Sequence, residues 1–192
     1  MFSRVVTRAV RASTMLFVLG VSACSSGSGS APGPVAGGVA SPGALAPDFA
    51  ARDIEGNDVR LASHIGKDVV LLDFYATWCE PCVQELPHLR KLYDVNKSKG
   101  FQILAISVDG PETVANVPGF SHRNKVEFPM LIDTDGRIAS LYNPRRAAPY
   151  SVLIDRKGKV VSMHEGYRAG DEELLASEVT RLVGAAPAGR GR

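Results

Sequence analysis

The sequence predicts an α/β domain, a sheet covered by helices on both faces, and three observations predict it. Apolar runs of strand length alternate with helical stretches along the chain. The most continuous run, Val69 to Ala76, leads straight into a helix-like segment. About 140 residues, Leu45 to Gly184, remain between low-complexity ends, enough for one domain with one core and without an internal repeat.

The N-terminus carries Arg4, Arg8 and Arg11 and no acid, then a short apolar run from Ala12 to Ala23. That layout predicts a secretory signal peptide over residues 1–23. The run is shorter than the roughly 20 apolar residues that a membrane-spanning helix needs. It ends Val21-Ser22-Ala23-Cys24, which is similar to the lipobox of bacterial lipoproteins and implies that Cys24 becomes a lipid-bearing first residue. Lipidation of Cys24 also accounts for the odd count of three cysteines, and several acyl chains on one residue give stable anchoring. From Ser25 to Ala44 the chain is Ser, Gly, Ala, Pro and Val only, without charge, and residues 24–44 are expected to form a flexible tether. Such a segment has a root-mean-square span of roughly 25 Å and a stretched limit of about 65 Å. Partners are therefore expected close to the same membrane, and the domain on the extracytoplasmic side of an inner or outer membrane. Removing three arginines from 22 basic residues leaves 19 against 20 acids, a balance that argues against nucleic acid as a partner.

Within residues 45–184, Phe49 to Asp53 and Asp58 to Leu61 flank Glu55-Gly56-Asn57 and predict a hairpin. Strands are expected at Val69 to Tyr75, Phe101 to Val108, Ser151 to Ile154 and Lys159 to His164. The helix after the first of these places Cys82, Leu86, Leu89 and Tyr93 on one stripe, which packs on the sheet. Pro87 interrupts that helix and is expected to kink it rather than end it. A last helix is expected from Gly170-Asp171-Glu172-Glu173, burying Leu174, Leu175, Val179, Leu182 and Val183 and stopping at Gly184. Residues 185–192 are expected to be unstructured.

The chemistry sits in Trp78-Cys79-Glu80-Pro81-Cys82, at the strand-to-helix junction. Positions three apart lie on one helix face, so Cys79 and Cys82 can close a small disulfide. A sulfur at a helix N-terminus meets unpaired N–H groups and the positive end of the macrodipole, which favour thiolate over thiol. Cys79 is therefore expected to attack, and Cys82 to resolve. A zinc site would need two more ligands, and His64, His88, His122 and His164 are single and widely spaced. A merely structural disulfide closing so small a loop stabilises little.

Four blocks in this order resemble the TlpA/ResA-like branch of thioredoxin-fold proteins, the membrane-attached thiol:disulfide oxidoreductases of bacterial envelopes: Ala46-Pro47-Asp48-Phe49, Asp73 to Cys82, Phe128 to Asp133, and Ala148 to Asp155. The resemblance covers about Pro47 to Gly184. It implies a thioredoxin-like fold, a central mixed sheet flanked by helices with an N-terminal β-hairpin extension. It implies Cys79 as nucleophile, Cys82 as resolving thiol, Pro149 as a cis-proline beside the disulfide and Ala148 as backbone for a substrate strand, with Trp78 and Pro81 completing the substrate-binding face. Asp73 matches a buried carboxylate that relays the proton leaving Cys82, and Glu85 an acidic residue that tunes both thiols. No cofactor beyond the Cys79–Cys82 couple and no metal is expected. The implied partners are disulfide-containing envelope proteins, apocytochrome c among them, and a membrane electron donor of the thiol-carrier type. In place of the usual Gly-x-Pro-Thr stands Ala147-Ala148-Pro149-Tyr150, preceded by Arg145 and Arg146, a pair suited to an acidic partner or to a solvated loop. The alternatives are a thiol peroxidase of the peroxiredoxin-related type, which wants threonine where Ala76 stands, and a disulfide oxidase or isomerase.

Overall fold

The computed structural model describes residues 38–185. The signal peptide, Cys24, most of the tether and residues 186–192 lie outside the described residues.

A two-stranded antiparallel hairpin, β1 (Ala50–Arg52) and β2 (Asp58–Arg60), precedes the main sheet. Its turn is organised by Asp53, whose carboxylate accepts hydrogen bonds from the backbone N–H groups of Glu55 and Asn57. The main sheet comprises β3 (Val69–Tyr75), β4 (Phe101–Ser107), β5 (Met130–Ile132), β6 (Tyr150–Ile154) and β7 (Val160–Glu165). Across the sheet they run β5-β4-β3-β6-β7. β3 is parallel to β4 and antiparallel to β6, so the sheet is mixed. A parallel pair needs a long crossover, and α1 (Glu80–Asn96) supplies it. The other helices are α2 (Val117–Arg123), α3 (Arg137–Tyr142) and α4 (Asp171–Gly184).

Every residue of β3 is buried, as its central place in the sheet requires. With β4 it forms the middle of the core, to which Leu86 and Leu89 of α1 and Leu175 and Val179 of α4 add their buried side chains. α1 runs on through Pro87 for 17 residues in all. Tyr93, expected in the buried stripe, is half-buried and sets its ring edge-on to Phe128, with centroids 5.5 Å apart.

Three expectations are corrected. Leu174 is 53% exposed, because the helical turn that directs Leu175 to the core carries its neighbour about 100° away. Leu182 and Val183 are only partly buried. Residues 38–44, expected as tether, are docked on the domain: Ala40 is buried and donates its N–H to the Leu141 carbonyl at 2.7 Å, while Gly43 and Ala44 exchange hydrogen bonds with Val160 at 2.8 and 3.0 Å. Backbone groups alone make these bonds, so a segment without large side chains still docks.

Candidate active site

β3 ends at Tyr75, residues 76–78 make the turn, and Cys79 becomes the N-cap of α1. Its backbone is extended, and its Sγ accepts a hydrogen bond from the Cys82 N–H at 3.2 Å. Cys79 and Cys82 are joined as a disulfide, with Cα atoms 5.3 Å apart. Both residues are buried, so exposure does not separate their roles. Position does: Cys79 occupies the place where unpaired helix N–H groups stabilise negative charge, and Cys82 lies in the first turn. Beside them Trp78 is 64% exposed and Pro81 is exposed, forming an outward face next to the sulfurs.

Two acids lie buried near the motif, Asp73 on β3 and Glu85 on α1. Burial pushes the Asp73 carboxyl up to about 7. Burial also raises that of Glu85, and the negative charges of Asp73, Asp171 and Glu172 raise it further. Two carboxyls in each other's field in a dry environment share protonation, and the pair retains a proton at pH values where free carboxyls have lost theirs. Asp73 Oδ1 has no hydrogen-bond partner among the described residues. The pair therefore has the capacity to take up and return a proton near neutral pH.

The Ala148–Pro149 peptide bond is cis. Since Tyr150 pairs with Phe74, Pro149 enters β6 at the end of the sheet where β3 delivers Cys79. Pro149 is buried and its carbonyl accepts the Gly166 N–H at 2.8 Å, whereas Ala148 is half-buried. A cleft of about 750 Å³ extends from here between α1 and α4, lined by Glu85, His88, Pro149, Tyr150, Tyr167 and Glu172 among others. Glu85 and Pro149 thus share one cavity. His88 stands 4.0 Å from the Glu172 carboxylate, which also accepts a hydrogen bond from the Tyr167 hydroxyl.

The paired arginines separate in the structure. Arg145 forms an ion pair with Glu165, and Arg146 turns its guanidinium onto the carbonyls of Val108 and Asp133. Sequence reasoning missed Asp109, which is fully buried and accepts hydrogen bonds from Thr77 and Ser107. Its signal was an acid directly after a continuous apolar strand, where the chain has not yet left the core. Among the described residues no group of three or more potential ligands is placed to hold a metal ion, and no helix is long and apolar enough to cross a membrane.

The AhpC/TSA family model matches residues 42–163. The chain belongs to this family. Within it, the TlpA/ResA-like resemblance is carried by curated relatives: the chain is 39% identical over 101 residues to the thiol-disulfide oxidoreductase ResA of Geobacillus kaustophilus, covering 53% of this chain and 56% of that one. ResA of Geobacillus thermodenitrificans is 39% identical over 100 residues. The chain spans about half the length of the curated relatives it matches. Among solved structures, one assigned as the thiol:disulfide interchange protein DsbE of Chlorobium tepidum has a TM-score of 0.69 and 35% identity, covering 76% of this chain and 99% of that one. A thiol:disulfide interchange protein from Bacteroides sp. has a TM-score of 0.62 and 27% identity over 79% of this chain and 95% of that one. Family membership and the thioredoxin-like fold agree with the mixed sheet and the hairpin ahead of it.

Proposed function

We propose that this chain is a thiol:disulfide oxidoreductase working outside the cytoplasm, tethered to a membrane through Cys24, that reduces disulfides in envelope proteins. One observation carries the reading: the Cys79–Cys82 disulfide caps a helix whose Cys82 N–H already points at Cys79 Sγ. The names of the ResA and DsbE relatives support it.

In the proposed cycle the Cys79 thiolate attacks a client disulfide. The client S–S bond breaks, one client sulfur leaves as a thiolate that takes up a proton, and the other is bound to Cys79. Cys82 then loses its proton to the Asp73 and Glu85 pair and attacks Cys79 Sγ. This releases the second client sulfur, which is protonated in turn, and re-forms the Cys79–Cys82 bond. Two electrons have passed to the client, and a membrane dithiol carrier returns two electrons and two protons. An extended client segment would pair with the backbone at Ala148, with Trp78, Pro81 and Pro149 as its walls. Apocytochrome c is one client of this class.

Cys82→Ser should trap clients covalently on Cys79, visible as reductant-sensitive adducts in envelope extracts. An absence of adducts beside an active wild type would defeat the two-step scheme. Direction is read from the potential: a value near about −270 mV supports a reductant, and one near about −120 mV supports the oxidase alternative. The anchor has its own test, because Cys24→Ser should release the protein from membranes. Retention that still requires detergent would remove the lipid from the account.

A further inference from the structure

The β3–α1 turn that carries Cys79 is tied down by a carboxylate from another strand end. Asp109, two residues beyond β4, has no exposed surface. Its Oδ2 accepts the Thr77 N–H at 2.9 Å and the Ser107 hydroxyl at 2.8 Å, and its Oδ1 accepts the Thr77 hydroxyl at 2.6 Å. The Ser107 hydroxyl in turn accepts the Asp109 N–H at 3.1 Å. Burial works against charge here, but bonds from Thr77, Thr113 and Ser107 outweigh it and hold the carboxyl below its usual range. A buried charge is costly unless donors surround it. This one has them, and two of them belong to the residue that stands two before the nucleophile.

The neighbouring backbone ties in the opposite loop. The Val108 N–H donates to the Tyr75 carbonyl at 2.9 Å, and the Val108 carbonyl accepts from Arg146 Nη2 at 3.1 Å. Arg146 lies three residues before Pro149 and adopts a left-handed backbone, φ 51°. Gly136 leaves it room, since a Cβ there would stand 2.9 Å from Arg146 Nη1. Residues 108–109 thus contact both the loop bearing Cys79 and the loop bearing Pro149.

We propose that Asp109 is a positioning residue for disulfide exchange: by gripping Thr77 through its N–H and its hydroxyl, it holds Cys79 in the N-cap geometry that stabilises the thiolate. The proposal rests on Cys79 being the attacking thiol. With the grip loosened, the Cys79 sulfur leaves its alignment with the Cys82 N–H, the thiolate loses its donor, and the thiol titrates at higher pH.

The test is the pH profile of Cys79 alkylation by iodoacetamide in the reduced full-length protein, with Thr77→Val as the main variant. Valine keeps the N–H bond and removes only the hydroxyl, so the fold is retained while the grip is halved. Alkylation at pH 6 should fall about three- to tenfold and its midpoint should move to higher pH, whereas Thr77→Ser, which keeps the hydroxyl, should stay within about twofold of wild type. Asp109→Asn should show the same direction as Thr77→Val. An alkylation profile unmoved in Thr77→Val, with only the melting temperature lowered, would overturn the proposal by showing a purely structural role. The readout is alkylation and not exchange, so a failed Cys82→Ser trapping experiment would count against the oxidoreductase reading alone.

Discussion

The two ends of the central sheet treat polar groups in different ways. At the end where β3 and β4 begin, Arg156 spreads its guanidinium over backbone carbonyls of Lys67, Lys99, Leu182, Val183 and Ala185. One side chain there satisfies the C-terminus of α4 and the two loops that enter the sheet. At the other end, Asp73 Oδ1 and the Tyr75 hydroxyl are buried with no partner among the described residues. Unpaired buried groups cost free energy, typically about 1 to 3 kcal/mol each. The Arg156 end pairs its carbonyls, whereas the cysteine end, where Asp109 is fully paired, keeps the Asp73 carboxyl in an unfavourable setting that leaves its proton exchangeable near neutral pH.

The largest effect that would break this contrast is expected at Asp73. Its folded-state pKa lies above the ordinary carboxylate value, so the folded protein holds the proton more tightly than the unfolded chain. Its contribution is neutral below about pH 4, becomes destabilising as pH rises through the interval up to about 7, and is constant above. Asp73→Asn should therefore raise stability by on the order of 2 to 4 kcal/mol at pH 8 and change it little at pH 4. At pH 8 the same variant should slow release of the mixed disulfide about tenfold or more, because Cys82 loses a proton acceptor. Urea melts at the two pH values and single-turnover exchange check both, and equal stabilisation at both pH values would show that Asp73 titrates normally.

A smaller effect of opposite sign is expected at the other end. Arg156→Met keeps much of the apolar stem and gives the carbonyls to water, which should cost about 1 kcal/mol in a urea melt, with alkylation of Cys79 within about twofold of wild type. Comparable loss of thiol reactivity would mean that the two ends are coupled. The smallest effect sharpens the point: in the double variant the two stability changes should add to within about 0.5 kcal/mol, as for distant sites with no shared partner.

Much of this division is written in the chain. β3 runs from Val69 to Tyr75, as an apolar stretch interrupted only by Asp73 announces, and the hairpin and last helix fall within a residue or so of expectation. Cys79 and Cys82 are legible because a motif at a strand-to-helix junction fixes its own geometry, whereas Asp73 and Glu85 are legible through the family resemblance and not from any pattern of their own. β5 escaped because three residues after Pro129 are too few for a period to register, and α2 and α3 are only seven and six residues long. Arg156 and Asp109 escaped for another reason. The partners that matter, backbone carbonyls for Arg156 and Thr77 for Asp109, are distant in sequence, and the one local signal, an acid at the end of an apolar strand, does not name them. Leu174 shows the converse, an apolar residue whose composition suggested burial while its angle on the helix assigned it to solvent.

The docked segment ahead of the hairpin has a mechanical consequence. A pull on the chain ahead of Gly38 reaches the backbone bonds from Ala40 to Leu141 and from Gly43 and Ala44 to Val160 before it reaches β1. Tension is thereby discharged into α3 and the outer strand β7, and the turn holding the two sulfurs is spared the load.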